Sequence, residues 1–282
     1  MRDQGLTIST PSEAASSLLT VRGLSRCFGG LQAVNALDLD VPKGRVLALI
    51  GPNGAGKSTS VNLLAGVLAP SAGTVFLDGV DLTGRPAHVV ARAGLVRTFQ
   101  NGRLFKRLSV LENVLVGADA RLRTGFVGSV LRTPRFRAEQ RELHLQAMRL
   151  LEEIGLAGDA GRSVSELPYG KQRKIELARA LILEPRVLML DEPAAGLNSG
   201  EVEELIAYIS GLRARGLSIL LIEHNMGLVM RLADRIAVLN FGQLIADGLP
   251  AEVRANDAVI EAYLGSRHAV AAGAGKDAHA AV

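Results

Sequence analysis

An α/β fold with a mostly parallel core sheet, an antiparallel β edge and a helical subdomain is what this sequence predicts, and three observations carry the expectation. Arg45-Val-Leu-Ala-Leu-Ile50, Val187-Leu-Met-Leu190 and Ser218-Ile-Leu-Leu-Ile222 are short runs, apolar beyond Arg45 and Ser218, of the kind that form strands buried on both faces. Leu18 to Val41 instead alternates, with Leu37, Leu39 and Val41 on one face of two runs around Gly29-Gly30, which predicts an antiparallel edge. Apolar residues at helical spacing fill a third region, about 101–183. With 282 residues, 48% of them hydrophobic, the chain can bury one sizeable core with a smaller helical lobe set into it.

Taken in order, residues 1–17 are rich in Ser, Thr and Ala without periodicity, and 267–282 are nearly all Ala, Gly and His. Both are expected to be flexible tails around a folded unit at 18–266. After the strand ending at Ile50, Leu63, Leu64, Val67 and Leu68 follow a helical pattern. Pro70-Ser-Ala-Gly73 marks a turn, and Thr74-Val-Phe-Leu-Asp78-Gly79 a strand and turn that return the chain to the sheet before Gln100. In the helical lobe, Leu143, Ala147, Leu150, Leu151 and Ile154 predict a helix from about Arg137 to Ile154, ended by Gly155 and Gly158. The runs at 187–190 and 218–222, with a helical stretch near 200–215 between them, form a crossover unit delivering Asp191 and His224 to one edge. Arg235-Ile-Ala-Val-Leu239 and Gln243-Leu-Ile-Ala246 flank Asn240-Phe-Gly242 as a hairpin, and Val259 to Leu264 is a short closing helix.

Composition excludes several classes. A net charge of +4, no Trp and 4% aromatic residues argue against a stacking platform for single-stranded nucleic acid. No apolar stretch approaches the ~18–20 residues that cross a bilayer, and Met1-Arg-Asp-Gln-Gly has no apolar export core behind it, so a cytoplasmic location is expected. The one cysteine, Cys27, fits packing on an apolar strand or proximity to a bound base. Arg121, Arg123, Arg132, Arg135, Arg137 and Arg141 crowd one segment. It could face anionic lipid or a partner, although a solvated insertion is the plainer reading.

Two stretches carry chemistry. Gly51-Pro52-Asn53-Gly54-Ala55-Gly56-Lys57-Ser58-Thr59 lies between a strand and a helix. Glycines there let successive backbone N–H groups converge on the phosphates of a nucleoside triphosphate at the positive end of a helix. Lys57 adds a point charge for the β- and γ-oxygens, and Ser58 offers a hydroxyl to Mg2+. The run at 187–190 ends in Asp191-Glu192-Pro193. Asp191 fits a water-mediated hold on Mg2+ and Glu192 the group that polarises an attacking water, whereas an acidic pair alone would be a solvated turn.

Leu167-Pro-Tyr-Gly-Lys-Gln172, followed by a helix with Ile175, Ala178, Leu181 and Ile182 on one face, resembles the signature segment of ABC transporter ATPases. The run to Leu190-Asp-Glu-Pro-Ala-Ala-Gly-Leu-Asn198 is most similar to the ATPases of bacterial branched-chain amino acid importers, and the likeness spans about 18–266. The resemblance implies a P-loop NTPase fold, ATP and Mg2+ as ligands, and two cassettes facing head to tail, each ATP held between one phosphate loop and the other's signature. It implies that Phe28, by itself a core phenylalanine, stacks on adenine. Gln100, in Arg97-Thr-Phe-Gln100, would reach Mg2+ and the lytic water, and His224, otherwise a plain strand-end histidine, would contact the γ-phosphate. Tyr169 and Gly170 would meet a partner's nucleotide, and Asn198 stands where related chains often carry aspartate. Pro168 and Tyr169 replace the usual serine and glycine, removing a hydroxyl bond to a charged group worth about 1.5–3 kcal/mol.

On that likeness the chain is an ATP-hydrolysing motor on the inner face of the plasma membrane. Its expected partners are permease subunits, a second ATPase subunit in a heterodimer rather than a homodimer, and indirectly a periplasmic solute-binding protein, with no nucleic acid. No internal repeat supplies the second nucleotide domain. The competing readings are an importer for an amide, urea or other solute, a soluble ABC-type ATPase acting on ribosomes or DNA, and a scaffold that holds ATP without turnover. Ribosome- and DNA-directed relatives usually carry two nucleotide domains or a long coiled-coil insertion, which this chain lacks, and the presence of both Asp191 and Glu192 speaks against the scaffold.

Overall fold

The computed structural model describes residues 17–98, 104–118 and 133–263. Ten strands among the described residues divide between two sheets. β1 (Ser17–Phe28), β2 (Leu31–Pro42), β4 (Ala72–Leu77) and β5 (Val80–Asp81) form an antiparallel sheet in the order β2-β1-β4-β5. β3 (Val46–Ile50), β6 (Leu95–Arg97), β7 (Val187–Asp191), β8 (Ser218–Ile222), β9 (Arg235–Asn240) and β10 (Gln243–Gly248) form the second, in the order β10-β9-β3-β8-β7-β6. All its pairs are parallel except the β9–β10 hairpin.

Every residue of β3, β7 and β8 is buried because both faces of the parallel sheet are covered. Leu47, Leu49, Met189, Leu220 and Ile222 pack toward Leu19, Val21, Leu37 and Leu39 of the antiparallel sheet and toward Val61 and Leu64 of α1 (Lys57–Leu64). Ala48, Ile50, Leu188, Leu190, Ile219 and Leu221 pack on the opposite side. That side is covered by α5 (Tyr169–Leu181), α6 (Ser199–Ala214) and α7 (Met226–Leu232). A third cluster joins α3 (Val110–Ala118), α4 (Pro134–Glu153) and α5 through Val110, Val114, Leu143, Ala147, Leu151, Ile175 and Ala178. Thus α5 serves two cores, with Leu177 and Leu181 on the sheet and Ile175 and Ala178 in the lobe. The remaining α-helices among the described residues are α2 (Ala87–Arg92), α8 (Pro250–Arg254) and a closing segment at 257–263. No helix among the described residues is long and apolar enough to cross a membrane.

Several expectations need correction. The helix after the glycine loop stops at Leu64 rather than reaching Leu68. Gly66 takes a left-handed φ of 67°, an added Cβ there would run into the Arg85 carbonyl, and Val67 is exposed. Residues 74–79 do not return the chain to the parallel sheet: β4 pairs with β1, and β6 makes the return. Alternating Val75 and Leu77 suit a sheet with one covered face, but alternation alone cannot say which sheet. The helix placed at Arg137 begins at Pro134, where Thr133 Oγ1 accepts the Phe136 N–H and proline occupies the first turn. Ser17, assigned to a tail, already pairs with Pro42. The rest of both tails, Gln100, Arg121, Arg123 and Arg132 lie outside the described residues. Arg135, Arg137 and Arg141 lie exposed on α4.

Candidate active site

Parallel register brings three strand ends level. Asp191 lies opposite Ile222, and Ile222 opposite Leu49, so the segments leaving β3, β7 and β8 emerge side by side. Residues 51–56 leave β3 as a loop whose glycines have φ of 150°, 80° and 100° at Gly51, Gly54 and Gly56. A Cβ at Gly51 would run into the Leu239 carbonyl, and one at Gly56 into that of Ala33, so neighbouring strands close the loop from outside. At Gly54 an added Cβ would meet no protein atom, and the glycine is required by conformation alone. α1 begins with no side-chain cap and no acid in its first turn, leaving its N–H groups directed outward with the positive end of the helix.

Lys57 folds back over this loop, its Nζ donating to Gly51 O at 2.6 Å and Pro52 O at 2.9 Å. Burial lowers its pKa, opposed by the charges of Glu192 and Asp191, which therefore share its surroundings. A half-buried lysine and an uncapped helix start beside a glycine loop fit a polyphosphate. Ser58 is exposed beside them and Thr59 is half-buried. Among the described residues no cluster of three acidic, His or Cys side chains could hold a metal by itself. Ser58 and Asp191 fit Mg2+ only as two oxygen donors complementing phosphate and water, as that ion commonly accepts.

Asp191 is 2% exposed, and its Oδ2 accepts a 2.6 Å charged hydrogen bond from Arg97, whose other terminal nitrogen donates to Asn62 Oδ1 at 2.6 Å. Glu192 follows with a left-handed φ of 48°, costly for a residue with a Cβ. Its N–H donates to Ile222 O at 2.8 Å and its carbonyl accepts from the Ala195 N–H at 3.1 Å. His224 is exposed, with Nδ1 3.8 Å from Glu192 Oε1 and 3.8 Å from Glu223 Oε2.

The other expected residues lie at the margins. Phe28 is 42% exposed at the end of β1, so it is no core residue, and the Arg26 guanidinium stacks over its ring 4.8 Å from the centre. Cys27 is likewise exposed rather than packed, its thiol donating to Gly29 O at 3.2 Å. Tyr169 and Gly170 start α5 without a side-chain cap, and Gly170 lines a cavity together with Asp191 and Pro193. The Arg173 guanidinium lies 5.2 Å over the Tyr169 ring, a Cβ added at Gly196 would run into that ring, and one added at Gly170 would run into the Glu201 carboxylate. Asn198 caps α6, its Oδ1 accepting the Glu201 N–H at 3.0 Å while Glu201 accepts the Asn198 N–H at 3.0 Å.

Three groups at the site were missed in the sequence: Arg97, Glu223 and Tyr263. Burial pushes the Tyr263 phenol above its ordinary pKa, offset in part by a hydrogen bond from the Gly51 N–H, so the closing helix touches the phosphate loop. An isolated charge closing a buried apolar strand, as at Arg97 and Glu223, was the available signal.

The sequence model of a family described as ABC transporter matches residues 34–195, and one described as branched-chain amino acid ATP-binding cassette transporter matches residues 243–269. The high-affinity branched-chain amino acid transport ATP-binding protein BraF of Pseudomonas aeruginosa is 49% identical over 249 residues, 88% of this chain and 98% of the relative. LivG of Escherichia coli, described in the same words, has the same identity and coverage. A crystal structure of the ADP conformation of an ATP-binding cassette of an ABC transporter superposes with a TM-score of 0.77 at 29% identity, covering 89% of this chain and 99% of that one.

Proposed function

Because this chain belongs to the ABC transporter family, as an ATP-binding and ATP-hydrolysing cassette, we propose that it is the motor subunit driving branched-chain amino acid uptake through a membrane importer. The substrate class rests on the full-length similarity to BraF and LivG and on the family match at 243–269. The observation that carries the chemistry is the convergence of Lys57, Asp191, Glu192 and His224 on one edge of the parallel sheet.

Backbone N–H groups of residues 51–59 and the Lys57 ammonium would hold the phosphates of ATP. Ser58, Asp191 and Gln100 would hold Mg2+, which when bound neutralises charge on the β- and γ-oxygens. Glu192, whose carboxylate shares the surroundings of Lys57 and lies 3.8 Å from His224 Nδ1, would orient and polarise the attacking water. His224 and Gln100 would line the γ-phosphate side, and Phe28 would stack on the adenine. Tyr169 and Gly170 would complete the site of a second, nonidentical ATPase subunit, with Pro168 standing where the usual serine donor would be. The folded unit at 18–266, with its helical subdomain about 101–183 and tails at 1–17 and 267–282, would dock on permease subunits. Those subunits would hold it on the inner face of the plasma membrane and receive solute from a periplasmic binding protein.

Glu192→Gln, assembled with the partner subunits, tests this reading. It should retain bound ATP while turnover falls by about 10²–10⁴-fold, the usual worth of a general base. Near-normal phosphate release would remove Glu192 from catalysis.

A further inference from the structure

Glu223 closes β8 one residue before His224, and its side chain is wholly buried. A carboxylate there must be satisfied locally, and it is. Oε1 accepts the Ala194 N–H at 2.9 Å, and Oε2 accepts the N–H groups of His224 at 2.9 Å and Asn225 at 3.1 Å. Ala194 belongs to the loop after Glu192, so one side chain bonds the backbones of both segments that flank the reacting position. Together with the Glu192 N–H to Ile222 O bond, it ties residues 192–195 to the end of β8 at two points.

We propose that Glu223 is a positioning residue: its carboxylate clamps the Glu192 loop to the His224 loop and holds Glu192 in its left-handed conformation. The inference rests on the reading of Glu192 and His224 given above. The chemistry is specific to a carboxylate of this length. Glutamine keeps the volume but has one acceptor, so in either orientation its NH2 faces a backbone N–H on one side of the clamp. Aspartate keeps both acceptors but is one methylene short, and serves the amides of its own loop without reaching Ala194. The clamp therefore separates from ordinary local capping by side-chain length.

Hydrogen exchange on the full chain, followed by mass spectrometry, tests the clamp without nucleotide. In Glu223→Asp, amides of 192–198 should exchange at least tenfold faster than in the wild type, while those of 224–228 keep their protection. In Glu223→Gln at least one of the two segments should loosen. Unchanged protection of 192–198 in both variants would overturn the clamp, and thermal unfolding shows whether either variant is folded. In the assembled transporter, Glu223→Asp should lower kcat tenfold or more with the KM for ATP within twofold. A loosened loop with normal kcat would overturn the positioning role. Glu192→Gln answers separately for the catalytic reading, so the two failures are distinguishable.

Discussion

Asp191 and Glu223 are buried carboxylates at the C-terminal ends of neighbouring parallel strands, satisfied in opposite ways. Asp191 is held by a side chain, the Arg97 guanidinium, which stands on β6 and also binds Asn62. Glu223 is held by three backbone amides that cannot leave without unfolding their loops. A guanidinium can swing away and give up its bond, so Asp191 keeps an exchangeable counter-charge, as suits a group that would share an oxygen with a metal ion. Fixed amides suit a group whose work is to hold the frame. Burial alone therefore does not tell a reactive acid from a structural one; the mobility of its partner does.

The largest effect that could break this contrast is at Arg97. Removing one member of a buried pair leaves an uncompensated charge, so Arg97→Ala should lower unfolding free energy by about 3–5 kcal/mol, measured by denaturant titration. Saturating Mg2+ and nucleotide should recover part of that loss in the Arg97 variant. A cost below about 1 kcal/mol, as for an exposed ion pair, would mean that Arg97 is not the counter-charge of Asp191. A smaller effect sharpens the contrast from the side. Asn198→Ala removes a helix cap in the loop that Glu223 anchors and should cost about 1 kcal/mol in the same titration. Exchange at 224–228 should stay unchanged in that variant, whereas faster exchange there would show that the cap, and not the carboxylate, holds the two loops.

The frame of the site was legible because its signals are local. Uniform apolar runs gave β3, β7 and β8, and a glycine loop and an acidic pair closed two of them. Periodic Leu143, Ala147 and Leu151 gave α4. Arg97 and Glu223 were less legible: each is an isolated charge closing an apolar run, but the partners that give them their roles, Asp191 and Ala194, lie 94 and 29 residues away along the chain. The helix beyond Leu64 failed because an apolar pattern continues through Gly66 while the backbone does not. β4 was recognisable as a strand but not as a partner of β1, since pairing depends on where Gly73 meets Gly23 and Leu24. Phe28 looked like core by residue type, yet it ends a strand where the antiparallel sheet opens to solvent.

The proposed chemistry depends most on Lys57 and the amides around it holding a triphosphate. Calorimetric titration of Mg2+-ATP into the full chain carrying Glu192→Gln, with and without Lys57→Ala, measures that hold in the absence of turnover. Loss of the charge-assisted bonds, worth about 1.5–3 kcal/mol, should weaken binding roughly ten- to a hundredfold. Equal affinity in the two proteins would contradict it.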